Sequence, residues 1–122
     1  MSKEPTNRLL YVEDDADTRE LLEFTLKEKV GEVLIAKNGS EALELFTKHA
    51  PKVVLTDIGM PGLDGFELIE KIRSIDEEAE VIVLTAHRHD ECHVKIKDLG
   101  VKHFLEKPTQ IDKLLEIINK VL

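Results

Sequence analysis

The sequence predicts a single α/β domain in which helices cover both faces of a parallel sheet. The length of 122 residues suits one domain, and 42% of the residues are hydrophobic, which is enough to fill a core. Five short apolar runs alternate with amphipathic segments along the whole chain. This alternation is typical of right-handed βαβ units. No linker, repeat or low-complexity tract interrupts it, so residues 1–122 are predicted to form one domain.

The apolar runs are predicted to be the strands. They are rich in Val, Ile and Leu and too short for helices, as is typical of buried parallel strands. In chain order they are Leu9–Val12, Val33–Ala36, Val53–Leu55, Val81–Leu84 and Val101–Leu105.

The segments between and after the runs are predicted to be five helices, because apolar residues recur in them at helical spacing. The first lies near Ala16 to Lys29, the second begins at Ser40, and the third follows Asp64. The fourth is the weakest, and the last is the cleanest. The predicted core positions, helix by helix, are Leu21, Leu22 and Leu26; Ala42, Leu43 and Phe46; Phe66, Ile69 and Ile72; Cys92, Ile96 and Leu99; and Ile111, Leu114, Leu115, Ile118 and Leu122.

Charge and composition exclude several classes of partner. The chain carries 25 acidic against 17 basic residues, a formal net charge of −8, which argues against a nucleic-acid or anionic-membrane partner. No apolar stretch approaches the roughly 20 residues of a membrane span, and the N-terminus lacks the apolar region of a signal peptide. A single cysteine excludes an internal disulfide. These features predict a cytoplasmic protein.

Polar residues follow four of the five apolar runs. The first run ends in Glu13-Asp14-Asp15, the third is followed by Asp57, the fourth by Thr85 and the fifth by Lys107. In a parallel sheet these are carboxyl ends of strands, where ligands of open α/β sheets bind. If the first and third strands are neighbours, their acids meet.

Three carboxylates in one crevice would need a counter-cation, since like charges repel at short distance. Glu13, Asp14 and Asp57 offer only oxygen ligands, which favours Mg²⁺. Lys107 would add a second positive charge and Thr85 a hydroxyl. A carboxylate in these surroundings is a plausible phosphoryl acceptor, because phosphoryl transfer depends mostly on positioning and charge stabilisation.

Taken together, the sequence resembles the response-regulator receiver domains of two-component signalling over essentially its whole length. The family implies a flavodoxin-like, doubly wound sheet of five parallel strands in the order 2-1-3-4-5, with five helices. Any one motif alone is weak, but four in order at the strand ends are highly specific. The matching motifs are Val12-Glu13-Asp14-Asp15 followed by Arg19, the run from Asp57 to Gly65, Leu84-Thr85-Ala86, and Phe104-Leu105-Glu106-Lys107-Pro108.

The resemblance implies a role for each matching site residue. Asp57 would be the phosphoacceptor, and Mg²⁺ would be bound by Glu13, Asp14, Asp57 and the backbone carbonyl of Gly59. Lys107 would bind a phosphoryl oxygen, and its bond to Pro108 is cis in this family.

The resemblance also implies a switch and its partners. Thr85 would move toward the phosphoryl group while Phe104 rotates inward, which changes the face formed by the fourth helix, fifth strand and fifth helix. A sensor histidine kinase or a histidine phosphotransfer protein would donate the phosphoryl group, and a downstream protein would read the switch. This role makes the chain a regulator and not an enzyme, and it is compatible with slow self-dephosphorylation. Since the chain ends at Leu122 with the fifth helix, we expect a stand-alone regulator.

Some residues depart from the family pattern or invite another interpretation. Glu13 stands where aspartate is commoner. His87 and Gly59 occupy positions that flank the path of the hydrolysing water in receivers, so they bear on phosphoryl lifetime. A zinc site in the cluster of His87, His89, Cys92 and His93 is disfavoured, because structural zinc sites use more regular paired ligands. Asp15 and Asp17 are read as solvated loop acids, with Asp17 as a candidate cap of the first helix.

Other functions fit the residues less well. A dehalogenase-type phosphatase needs a second aspartate where Gly59 stands, and a P-loop nucleotidase needs a Gly-rich run that ends in Gly-Lys-Ser/Thr. The acids after the first strand would repel the phosphate of a flavodoxin cofactor. A receiver fold used only for docking would have lost the acceptor or the lysine, and both are present.

Overall fold

The computed structural model describes residues 9–30, 32–57, 65–85, 97–106 and 111–121. These contain a five-stranded sheet and four helices, labelled here in chain order. The strands are β1 (Leu9–Val12), β2 (Val33–Ala36), β3 (Val53–Asp57), β4 (Glu80–Thr85) and β5 (His103–Glu106). The helices are α1 (Ala16–Lys29), α2 (Gly39–His49), α3 (Gly65–Ile75) and the C-terminal α4 (Ile111–Val121).

The helix predicted around Cys92 and Ile96 lies mostly outside the described residues. Lys97 and Asp98 have helical backbone, and Gly100 follows them with a φ of 80°. This left-handed backbone suits glycine and turns the chain away from the helical path. It also accounts for a wrong strand boundary, because β5 begins at His103 and not at Val101.

The sheet is parallel throughout and its order is β2-β1-β3-β4-β5, so the predicted α/β fold and strand order are confirmed. β3 and β4 extend beyond their apolar runs to Asp57 and Thr85. The extension has a simple cause: ladder hydrogen bonds join backbone groups, so pairing continues where side chains become polar. Register matches Val12 with Thr56 and Asp57 with Leu84, which aligns the carboxyl ends of the central strands.

Alternate side chains of the strands enter two separate core layers. One layer packs α2 and α3 against a sheet face that includes Leu10 and Val12. The other packs α1 and α4 against a face that includes Leu9 and Tyr11. Both faces of the sheet are therefore covered, as the apolar character of the strands predicts.

The predicted core of α1 is partly wrong. Leu22 and Leu26 are buried, but the side chain of Leu21 is 76% exposed. Successive helical residues point about 100° apart, so Leu21 and Leu22 cannot share the narrow stripe that faces the sheet. The same geometry leaves Phe24 71% exposed.

The cap of α1 is Asp15 and not Asp17. The Asp15 carboxylate accepts hydrogen bonds from the Thr18 backbone N–H at 2.9 Å and from the Thr18 hydroxyl at 2.6 Å. Asp17 lies in the first turn, where its negative charge favours the helix dipole.

No helix in the described ranges is both long and apolar enough to cross a membrane.

The N-terminus of α2 is closed by a pair of side chains. Asn38 Oδ1 accepts a hydrogen bond from the Glu41 N–H at 2.8 Å, and Glu41 Oε1 accepts one from the Lys37 N–H at 2.7 Å. The Asn38 side chain thus satisfies a backbone donor of the first helical turn, and the Glu41 side chain satisfies the donor of Lys37, which precedes the cap.

We predict that Asn38→Ala lowers the free energy of unfolding by about 1 kcal/mol, because it removes the cap acceptor. Asn38→Asp keeps an acceptor at the same place and serves as the matched control. Urea denaturation of the three proteins measures the effect. Equal losses in both variants would contradict the assignment of the cap.

Candidate metal and phosphoacceptor site

The pairing of β1 with β3 builds the site. Val12 and Thr56 are register partners, so the residues that follow them, Glu13 and Asp57, lie at the same level of the sheet. The Glu13 N–H still donates to the Ala36 carbonyl of β2 at 3.1 Å, which holds its backbone to the sheet. Two acids far apart in sequence thus become neighbours through backbone pairing alone.

Three carboxylates converge at this edge. Oxygen atoms of Glu13, Asp14 and Asp57 lie within 4.8 Å of one another. The side chains of Glu13 and Asp57 are only 1% and 8% exposed, whereas Asp14 is exposed. Like charges so close and so little solvated repel strongly, and a cation between them would relieve that repulsion.

The donor set fits a hard divalent cation. All three groups offer carboxylate oxygens, and the exposed Asp14 gives the cluster an opening to solvent. Mg²⁺ binds such oxygens through one or two carboxylates and keeps several waters, so a partly open cluster suits it. Glu13, Asp14 and Asp57 are therefore the described residues that could hold a metal.

Arg19 supports the loop that carries two of these acids. Its Nη1 donates to the backbone carbonyl of Glu13 at 3.0 Å and approaches that of Asp14 at 3.4 Å. These contacts tie the first turns of α1 to the end of β1 and place a positive charge beside the cluster. The sequence motif included Arg19 but gave it no role. Its spacing, one turn into a helix that starts after the acids, was the available signal.

Two further residues were missed by sequence reasoning. Thr56 is fully buried, and its hydroxyl donates to the backbone carbonyl of Asp57 at 2.9 Å, at the point where β3 ends. Tyr11 is also fully buried, two residues before Glu13. Tyr11 stands inside an apolar run and Thr56 directly follows one, and neither position gives a functional signal in the pattern of hydrophobicity.

The Tyr11 hydroxyl lies in the electrostatic field of the acids. Burial raises the pKa of Tyr11 well above its ordinary value, and the negative charges of Glu13 and Asp57 raise it further. The hydroxyl makes no hydrogen bond of acceptable length and angle to any described residue, although Glu13 is close enough to affect its pKa. Tyr11 is therefore a protonated donor at neutral pH.

The remaining predicted site residues are placed only in part. Thr85 is the last residue of β4 and pairs with Glu106, but its side chain is not described. Phe104 lies on β5, half-buried, and packs against the layer that contains α2 and α3. Gly59 and Lys107 lie outside the described residues. So does the histidine and cysteine cluster at residues 87–93.

Comparison with known proteins agrees with this architecture. Residues 9–119 match the family described as "Response regulator receiver domain". The chain is 36% identical over 117 residues to the chemotaxis protein CheY of Bacillus subtilis, which covers 95% of this chain and 98% of the relative. It is 33% identical over 115 residues to sporulation initiation phosphotransferase F of the same organism, which covers 94% and 93% of the two chains.

Solved structures agree with the sequence matches. The N-terminal domain of an uncharacterized protein from Wolinella succinogenes superposes with a TM-score of 0.88 at 38% identity, covering 93% of this chain and 92% of that one. The family match spans nearly the whole chain, and the fold and strand order agree with it. The chain therefore belongs to the response regulator receiver domains of two-component signalling.

Proposed function

We propose that the domain is a phosphoryl-acceptor switch in which Asp57 receives the phosphoryl group. The observation that carries this proposal is the convergence of Glu13, Asp14 and Asp57 within 4.8 Å at the carboxyl ends of β1 and β3. Membership of the receiver family supports it, since receivers are regulatory phosphoacceptors. Of the three acids, Asp57 stands on a central strand and keeps a small exposed area through which a donor can reach it.

The transfer uses the Asp57 carboxylate as the nucleophile. One carboxylate oxygen attacks the phosphorus of a phosphohistidine, the P–O bond forms as the P–N bond breaks, and the histidine ring leaves and takes up a proton. The donor on this proposal is a sensor histidine kinase or a histidine phosphotransfer protein. The low exposure of Asp57 limits bulk water around the attacking oxygen.

The metal would be held by the carboxylates of Glu13, Asp14 and Asp57. By the family pattern, the backbone carbonyl of Gly59 would be a further ligand. Bound Mg²⁺ would supply positive charge to the phosphoryl oxygens. Arg19 keeps the Glu13–Asp14 backbone in place through its hydrogen bonds to the two carbonyls. Lys107 directly follows β5, whose last residue pairs with Thr85, and on this proposal its ammonium binds a phosphoryl oxygen.

The signal would be passed on through a change of packing on the face that holds β5 and α4, the helix that the sequence analysis counts as the fifth. Phosphorylation adds negative charge at the end of β3, next to the end of β4. On this proposal Thr85 moves toward the new charge and Phe104, now half-buried, turns inward. A cytoplasmic protein partner then binds the altered face. Slow hydrolysis of the aspartyl phosphate resets the switch.

We expect wild-type protein incubated with Mg²⁺ and acetyl phosphate to gain the mass of one phosphoryl group. Asp57→Ala loses the nucleophile and gains none. Intact-protein mass spectrometry measures both. Glu116→Gln, which removes an exposed carboxylate on α4, is the control and phosphorylates normally. Phosphorylation that persists in Asp57→Ala would contradict the proposal.

We also expect Asp57→Asn to raise the free energy of unfolding in metal-free buffer by about 1 kcal/mol, because it removes one of three repelling charges. Mg²⁺ at a hundred times its Kd stabilises the wild type by about 2.7 kcal/mol, because only the folded state assembles the site.

Urea denaturation with and without Mg²⁺ measures both effects, and Glu116→Gln controls for the loss of one charge. The idea of a repulsive, cation-binding cluster is wrong if Asp57→Asn is no more stable than the wild type. It is also wrong if Mg²⁺ stabilises both proteins equally.

A further inference from the structure

Tyr11 places a hydrogen-bond donor where an apolar side chain would pack without penalty. It is fully buried on β1, and the other residues of that strand are Leu9, Leu10 and Val12. Its layer is otherwise apolar, with Leu and Ile side chains from α1 and α4. A buried hydroxyl without a partner is unfavourable, so its acceptor needs to be identified.

The strand geometry limits the candidates for that acceptor. Side chains two residues apart on a strand point to the same face, so Tyr11 and Glu13 share a side of β1. The register partner of Tyr11 on β3 is Leu55, which stands two residues before Asp57 in the same way. The phenol ring therefore lies one step below both carboxylates, and both influence its hydroxyl.

Glu13 is the better acceptor of the two. It lies two residues from Tyr11 along the same chain segment and is almost fully buried, whereas Asp57 lies on the neighbouring strand β3. An ionised carboxylate only accepts, and a neutral phenol can donate, so the two groups are complementary. Glu13 already accepts from the Asp15 N–H at 3.3 Å through Oε2, which shows that its side chain is oriented by hydrogen bonds.

We propose that Tyr11 is a positioning residue of the carboxylate cluster: when the divalent cation binds, the Tyr11 hydroxyl donates a hydrogen bond to Glu13 and holds that carboxylate in its binding orientation. The inference rests on the proposed function, because the cation is the one that supports phosphorylation of Asp57. Glutamate has one more rotatable bond than aspartate, so a fixed donor below it restricts a side chain that would otherwise sample several orientations.

Tyr11→Phe keeps the ring and removes only the hydroxyl, and we expect it to weaken Mg²⁺ binding without destabilising the metal-free protein. Affinity for Mg²⁺ falls by about 3- to 10-fold, the loss expected when one hydrogen bond of ordinary net strength is removed. Stability in metal-free buffer stays equal to that of the wild type or rises, since no described residue fully satisfies the hydroxyl. A ring that served only for packing would leave the affinity unchanged.

Isothermal titration with MgCl₂ measures the affinity, and urea denaturation in EDTA measures the stability. Ile82→Val is the matched control, because it perturbs the same core layer without touching a polar group. It lowers stability and leaves the Mg²⁺ affinity unchanged. If it weakened Mg²⁺ binding as much as Tyr11→Phe does, the effect would be one of packing and the proposal would be wrong.

A spectroscopic measurement on the wild type needs no variant. Tyr11 is the sole tyrosine and the chain has no tryptophan, so the near-ultraviolet tyrosine absorption reports this hydroxyl alone. Addition of Mg²⁺ shifts that absorption if the hydroxyl gains a charged acceptor, and Glu13→Gln reduces the shift. An absorption that does not change while Mg²⁺ binds would overturn the proposal.

The outcomes separate this inference from the proposed function. If the wild type binds Mg²⁺ and is phosphorylated while Tyr11→Phe binds Mg²⁺ equally well, only the role of Tyr11 is wrong. If the wild type neither binds Mg²⁺ nor accepts a phosphoryl group, the proposed function is wrong and the inference falls with it.

Discussion

The repulsion among three carboxylates at the ends of β1 and β3 is the constraint on which the rest of the site depends. Parallel pairing sets Val12 against Thr56, and the next residues on each strand are acids. Glu13 and Asp57 cannot separate without breaking the central ladder of the sheet, and both are nearly excluded from water. The fold therefore brings together like charges whose repulsion a bound cation would relieve.

Stabilisation elsewhere in the domain keeps that interaction in place. Two apolar layers cover the sheet, and β1 contributes to both because its side chains alternate between the faces. Arg19 fixes the backbone of the acidic loop from α1, and Thr56 anchors the carbonyl of Asp57 from within β3. The carboxylates are held from several directions by groups that carry no negative charge themselves. In the proposed function, such a setting would couple a change of charge at Asp57 to the packing around it.

Prediction from the sequence succeeded where the spacing of apolar residues determines the secondary structure. The bounds of β1 and β2 were predicted to the residue, because apolar runs mark them, and α1 was predicted near its observed range. The meeting of Glu13 with Asp57 needed the order of the strands, which the family resemblance supplied. The exposure of Leu21 and the surroundings of the Tyr11 hydroxyl could not be predicted, for another reason. Which side of a helix faces the sheet, and what a buried hydroxyl lies near, depend on tertiary contacts that no local pattern encodes.

Chemical mapping of the modified residue tests directly whether Asp57 is the phosphoryl acceptor. Wild-type protein is incubated with Mg²⁺ and acetyl phosphate, reduced with borohydride and digested, and the peptides are sequenced by mass spectrometry. Borohydride converts an aspartyl phosphate to homoserine, so we expect homoserine at position 57 and at no other acid. Homoserine at Asp14, or phosphate on a histidine with position 57 unmodified, would contradict it.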